Sequence, residues 1–530
     1  MKKSLRLLLL LAVLSVLLLA GCAGDTSSDD NSKEKGNAEN GTLIYGRGTD
    51  TVTLDPHNII DAESSRIAKN VYETLIDYEK EGTDVVPKLA TEWSTSEDGK
   101  IWTFQLRKDV KFHDGTNFDA DAVVYNFNRM MDESHPQHHG EFSIPSRTIK
   151  GIVEDVQAID THTVEFRLSE SNATFLPNIG ITTFGMISPK ALQEYGEDIN
   201  QHPVGTGPFV YDSWKENDTL TLVKNEEYWE NDLPKLEKVI FKVIPDNSAR
   251  LTALKNNEID LMEGLNPTDL PEIESNEQLQ LFKRPSANLG YLTFNNTKHP
   301  FDNVKVRQAI SHAVDKQGII DAFYGPFTIP AKNMMPPVIW GYNDEITDYD
   351  YNLDKAKKLL EEAGFPDGFE TELWVMSTDR VYFPQPQKVA EAVKMNLKEI
   401  GIDVKIVTFE WATYLSKLMN GEHAFAAIGR LSENGDPDNF LYTMLYSTSA
   451  SNLSRYANDK VDALLDLAQS STDREERTAI YKEIQEIVHD DAPAIPLAYV
   501  ESAMAGGKSV KGYIPHAIGY ESLAEVYIED

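Results

Sequence analysis

The chain has 530 residues, room for about three compact units, and its 41% hydrophobic and 9% aromatic content suits a globular protein with a sizeable core. Lys and Arg number 50 against 85 Asp and Glu, a formal charge of −35, and so acidic a surface repels polyanions, which excludes nucleic acid as a general partner. The single cysteine excludes an internal disulfide and a Cys-rich zinc site.

Lys2, Lys3 and Arg6 precede an apolar run from Leu7 to Ala20, the charged start and short hydrophobic stretch of an export signal rather than a spanning helix. The run ends at Leu19-Ala20-Gly21-Cys22, which resembles the bacterial lipoprotein box. Residues 1–21 are thus expected to be a signal peptide, with Cys22 lipidated as the first residue of the mature chain. Two acyl chains would hold the protein to the outer face of the cytoplasmic membrane. Ala23 to Gly41 has no large apolar residue and is rich in Ser, Asp, Asn, Lys and Gly. It reads as a disordered tether with a reach of about 25 Å. No later stretch approaches the roughly 18 apolar residues of a membrane span.

From Thr42 onward strand and helix signals alternate. Thr42–Tyr45 is strand-like, Leu54-Asp55-Pro56 is a break, and Ser64–Tyr72 is helical. Asp98-Gly99 signals a hairpin turn before Ile101–Leu106, whose period of two is that of a half-buried strand. Asp119–Met130 places Val123, Val124, Phe127 and Met130 on one helical stripe behind an acidic first turn. Asn352–Gly364 offers an N-cap, apolar Ala356, Leu359, Leu360 and Ala363, and a glycine stop. Lys388–Gly401 repeats the design with Val389, Val393, Leu397 and Ile400 and leads into Val404–Val407. Such units make the class α/β.

The P-loop, HExxH, GxSxG and dinucleotide GxGxxG signatures are absent. His135, His138 and His139, near Glu141, are the best metal candidates. They sit in a Pro-, Gly- and Ser-containing stretch, which favours a solvated loop over a metal site. Asp436-Pro437-Asp438 lacks the spacing of a calcium loop, and its carboxylates suit the cap of a helix starting near Pro437.

Many separated stretches resemble the family 5 solute-binding proteins of bacterial ABC importers, the oligopeptide-, dipeptide- and nickel-binding group. They include Val86-Pro87-Lys88-Leu89-Ala90, Val110–Gly115, Gly205-Thr206-Gly207-Pro208-Phe209, Asn225-Glu226-Glu227-Tyr228-Trp229 and Val304–Ala309. In the second half, Gly290-Tyr291-Leu292, Trp340–Asp344, Ile406–Trp411 and Gly435–Phe440 are most similar to the dipeptide-binding proteins. The resemblance implies a two-lobed periplasmic-binding-protein fold with an extra subdomain in lobe one. Lobe one would comprise about 42–285 plus 504–530, and lobe two 286–503.

A dipeptide presents an ammonium and a carboxylate at a fixed separation. Dipeptide-binding relatives hold these with an aspartate and an arginine, and the arginine falls on Arg380. A guanidinium fork suits a carboxylate, although a surface pair with Asp379 is the alternative reading. The aspartate falls on Glu433, longer by about 1.5 Å, with Asp436 as the fallback. Arg430 stands where relatives carry a tryptophan. It either pairs with Glu433 or adds positive charge for an acidic or γ-glutamyl ligand. Tyr382, Tyr291 and Trp411 are cleft aromatics or core.

The expected function is delivery of dipeptides or short oligopeptides to an ABC permease and its ATPase by hinge closure. The protein would be a monomer that catalyses nothing and needs no cofactor. Nickel or another metal chelate, haem and a glutathione-like acidic peptide are the alternative ligands, and an exported hydrolase is the alternative class.

Overall fold

The computed structural model describes residues 41–530 apart from Tyr520 and Asp530. The expected signal peptide, Cys22 and the tether through Asn40 lie outside the described residues. Among the described residues no helix is long and apolar enough to cross a membrane.

Two large sheets organise the chain. The first has seven strands in the order Leu279–Arg284, Ser502–Gly507, Leu261–Met262, Thr42–Arg47, Lys238–Val243, Thr219–Lys224 and Phe209–Lys215. Thr42–Arg47 is central and parallel to both of its neighbours. Ser502–Gly507 enters antiparallel between Leu279–Arg284 and Leu261–Met262, more than 200 positions earlier in the chain. The second sheet has six strands, ordered Ile329–Pro330, Ala494–Tyr499, Asn288–Phe294, Phe425–Leu431, Glu370–Met376 and Asp403–Phe409. Asn288–Phe294 is buried at every position, as a strand covered on both faces must be.

The helix signals mature nearly where the sequence places them. Ala120–Met131 is a helix whose N-cap Asp119 accepts from the Ala122 amide at 3.0 Å. Leu353–Glu362 starts with Asn352 accepting from the Lys355 amide at 3.0 Å and is followed by Gly364 at φ +92°, a left-handed conformation that glycine adopts without strain. The third helix, Pro386–Lys398, begins two residues earlier than the apolar pattern suggests, because a proline suits the first turn. It joins the parallel strands Glu370–Met376 and Asp403–Phe409, which completes the expected βαβ unit.

A smaller four-stranded antiparallel sheet is built from Ala90–Thr95, Ile101–Leu106, Thr163–Leu168 and Val153–Asp160. Its aromatic core centres on Phe166, whose ring lies 5.5 Å from Phe104, 4.7 Å from Phe127 and 5.3 Å from Phe175. Beside it, one buried carboxylate gathers several family-like stretches. Glu73 accepts from Thr206 Oγ1 at 2.8 Å, Tyr228 OH at 2.7 Å and Trp229 Nε1 at 2.9 Å, and lies 3.1 Å from Lys88 Nζ. Arg107 stacks 4.2 Å above the Trp229 ring. Burial disfavours the Lys88 ammonium, but Glu73, Asp77 and Glu230 outweigh it and raise its pKa.

The chain passes from the first large sheet to the second between Arg284 and Asn288 and returns between Tyr499 and Ser502. The two passages are tied by one side chain. Asn288 Nδ2 donates to the Val500 carbonyl at 2.8 Å, and its Oδ1 accepts from the Val500 amide at 3.2 Å. Asn288→Ala should lower the unfolding free energy by about 2 kcal/mol, because it leaves a buried amide and carbonyl unpaired. Asn288→Asp, which sets a buried carboxylate oxygen against the Val500 carbonyl, should destabilise at least as much in urea unfolding.

Candidate ligand-binding surface

Two glycines prepare the surface. Gly290 and Gly429 face each other on neighbouring antiparallel strands, and Tyr382 packs over both. A Cβ at Gly290 would lie 2.5 Å from the Tyr382 carbonyl oxygen, and one at Gly429 would lie 2.2 Å from its ring. Neither position admits a larger residue without displacing the tyrosine. Tyr324 OH donates to the same carbonyl at 3.2 Å. Reciprocal backbone bonds between Arg380 and Phe383, at 3.0 and 2.9 Å, close the turn that presents Arg380 and Tyr382.

The Arg380 guanidinium lies 3.8 Å above the Trp411 ring. Trp411 opens the helix Trp411–Met419, where Glu410 caps the Ala412 and Thr413 amides. Among the described residues no carboxylate approaches this guanidinium within 4.0 Å, Asp379 included, and its buried Nε has no partner. Arg380 is therefore held by stacking with its charge uncompensated by an acid. Val381 beside it is 45% exposed, and Leu431, at the end of the strand carrying Arg430, is 50% exposed.

Arg430 is partly buried, and its Nε donates to the Asn439 carbonyl at 3.2 Å. Burial lowers its pKa, Glu433 and Tyr291 oppose that, and Arg147 adds to it. Tyr291 is buried, which raises its hydroxyl pKa, while Arg430 draws it back. Tyr382 rises to about 12 through burial against the pull of Arg380. These mutual influences place Arg430, Tyr291, Tyr382 and Arg380 in one neighbourhood of the six-stranded lobe.

The carboxylate of Glu433 meets a partner that the sequence reading missed. Arg147, on the short helix Ser143–Thr148, reaches it at 2.5 Å, while the Glu433 amide donates to Asn439 Oδ1 at 3.2 Å. Arg147 lies 286 positions away in sequence, and nothing local marks it. The ion pair belongs to a polar seam between the smaller sheet's surroundings and the six-stranded lobe. Asn434 Nδ2 donates to Asn178 Oδ1 at 2.7 Å, Ser171 Oγ to the Ser470 carbonyl at 2.7 Å, and the Ala173 amide to the Gln469 carbonyl at 2.8 Å. Asp436 faces elsewhere. It is buried, 2.7 Å from Arg477, and accepts from the Asp438 amide at 3.0 Å, where the helix Asp438–Leu445 begins.

The sequence model for bacterial extracellular solute-binding proteins, family 5, matches residues 84–452. The chain belongs to that family. Family 5 proteins are transport binding proteins, not enzymes, with the two-lobed fold of periplasmic binding proteins. The chain is 36% identical to heme-binding protein A of Haemophilus influenzae over 97% of this chain and 98% of that one. It is 35% identical to the dipeptide-binding protein of Escherichia coli over 87% and 89% of the respective lengths. The solved structure of HbpA2 from Haemophilus parasuis superposes with a TM-score of 0.88 at 33% identity, covering 92% of this chain and all of that one.

In this family 5 chain the histidine stretch is tied to structural partners. The His138 ring bonds the Arg129 carbonyl at 2.7 Å, His135 accepts from the Gln137 amide at 3.2 Å with its ring against Tyr125, and His139 Nδ1 is 3.7 Å from Glu197. Among the described residues no group of three or more His, Cys, Asp or Glu is arranged to hold a metal. The stretch rests on Arg129, whose Nε donates to the Gln137 carbonyl at 2.7 Å. Arg129 also grips both oxygens of buried Asp55, at 3.0 and 2.6 Å, and donates to His57 Nδ1 at 2.7 Å. His57 is neutral there, with Nε2–H on the Gly185 carbonyl at 3.2 Å.

Burial, with the Arg129 charge, pushes the His57 pKa down to about 3, and burial pushes His423 down to about 4. Above pH 6.5 both are neutral whether folded or unfolded. As pH falls from about 6.5 towards 4, the unfolded chain takes up protons that the native state refuses. Each histidine should then cost up to about 1.4 kcal/mol of stability per pH unit. His423→Gln and His57→Asn should each flatten the slope of urea stability against pH in this window by about that amount.

Proposed function

We propose that this chain captures short peptides outside the cytoplasmic membrane and delivers them to an ABC permease and its ATPase. The observation that carries the reading is Arg380, a guanidinium stacked on Trp411 with no acid beside it among the described residues. A peptide's terminal carboxylate would supply that acid through two parallel charge-assisted bonds. Glu433 would receive the ammonium, with Arg147 yielding or sharing its carboxylate, and Tyr382, Tyr291, Val381 and Leu431 would flank the backbone and side chains. The dipeptide-binding relative supports this ligand class.

Closure would bring the two lobes, about 42–285 with 504–530 and 286–503, around the ligand. The passages beside Asn288 and Val500 would bend as the polar seam forms or parts. Lipidation at Cys22 would keep a monomeric body close to its permease.

A second reading follows from charge at the Glu433 end. Two guanidiniums, Arg147 and Arg430, accompany one carboxylate there. A ligand carrying an extra carboxylate beside its ammonium, as a γ-glutamyl peptide does, would balance that set. Haem comes from the named relative in Haemophilus influenzae and nickel from the family resemblance. For both, the histidine stretch offers weak support because its rings already have partners.

Thermal unfolding with di-, tri- and pentapeptides, glutathione, haem and nickel would rank these ligands. One that binds only the folded protein stabilises it by about 2.7 kcal/mol at a hundredfold excess over Kd. Short peptides should shift the transition, and N-terminal acetylation should remove the shift. Arg380→Glu should weaken peptide binding at least about thirtyfold, given the roughly 2–5 kcal/mol cost of losing one partner of a buried charge pair, with little change in the stability of the free protein. Undiminished binding by this variant would retire the carboxylate anchor. A response to glutathione alone would favour the second reading.

A further inference from the structure

Away from Arg380, a cavity of about 500 Å³ opens between the smaller sheet and the six-stranded lobe. That volume is ordinary for a small-molecule site, about 300–1,000 Å³. Its walls include Trp93 and Trp102 from the hairpin Ala90–Thr95 and Ile101–Leu106, and Trp340 from the opposite side. Leu176 and Pro177 add apolar surface. Trp93, Trp340 and Leu176 are only partly buried, so a guest could still cover apolar area on them.

The polar groups define the guest further. The ionic lining is largely closed on itself, with Arg474 paired to Asp84 and stacked 3.6 Å above Trp340, and Arg477 2.7 Å from Asp436. The remaining acid, Glu79, is exposed to solvent. An anionic guest would have to break one of these pairs, and a cationic one would meet only Glu79, whose exposure to water leaves it a weak partner. Two lining residues each keep a buried donor without a partner in the protein. They are Trp102 Nε1 and Arg477 Nε, on residues 4% and 6% exposed. An occupant carrying acceptors, such as carbonyl oxygens, would satisfy donors of this kind.

We infer that this cavity is a second ligand site, for a flat, uncharged aromatic molecule bearing a carbonyl or amide acceptor, independent of the peptide anchors. Aromatic walls favour a flat π-system, the closed ion pairs favour neutrality, and the unmatched donors favour an acceptor. The guest would touch both halves of the molecule at the edge where Asn178 meets Asn434. Arg380, Tyr382, Trp411, Tyr291, Arg430 and Glu433 do not line this cavity.

The test is calorimetric titration of the full-length protein with N-acetyl-L-tryptophanamide, whose blocked termini offer Arg380 no carboxylate and Glu433 no ammonium. Saturable binding at one site is expected. Trp102→Phe, which removes only the donor and trims the ring, should weaken it about threefold to tenfold. Trp340→Ala should weaken it at least about tenfold, and Trp93→Ala, at a less buried position, serves the same purpose if the first variant does not fold. Arg380→Glu should leave the affinity unchanged. No saturable binding by the natural protein, full affinity in both tryptophan-to-alanine variants, or loss in Arg380→Glu would each overturn the inference, the last by placing the probe on the peptide surface.

Discussion

The chain crosses between its two large sheets twice, and the amide of Asn288 ties the crossings together through both polar groups of Val500. The two segments so joined cannot separate without unpairing buried backbone groups. The contacts of the polar seam are of another kind. The Arg147–Glu433 pair is partly open to water on both sides, and such pairs are worth about 1 kcal/mol or less each. The crossings are thus tied by buried hydrogen bonds, and the seam by weaker, partly solvated polar contacts.

The two ends of the candidate surface differ in electrostatics. At one end Arg380 is fixed by Trp411 while its charge stays unpaired by an acid among the described residues. At the other, Glu433 is already engaged by Arg147 and flanked by Arg430. A ligand anion at the first end meets a cation with little to displace. A ligand ammonium at the second competes with a guanidinium, and an accompanying carboxylate eases that competition.

The stretches through which the family was legible hold the fold together. Lys88, Thr206, Tyr228 and Trp229 converge on buried Glu73. A carboxylate removed from water needs each of those donors, so their spacing in the chain carries a strong family signal. Gly290 and Gly429 were legible as part of the resemblance, but their purpose, leaving room for Tyr382, appears only when the strands pair. The histidine stretch resembles a metal site in one dimension. In three, Arg129 and its neighbours divide its rings among backbone and aromatic partners.

By itself the sequence determined the α/β class, the principal helices with their caps and stops, and the family. These depend on periodicity, capping chemistry and local spacing, which act over a few residues. Tertiary structure alone decided that Asp436 pairs with Arg477, that Arg147 meets Glu433, and that tryptophans from distant segments line one cavity. Each of those facts requires side chains far apart in the chain to come within a few ångströms, and no local pattern records which distant partner a charge or a ring will find.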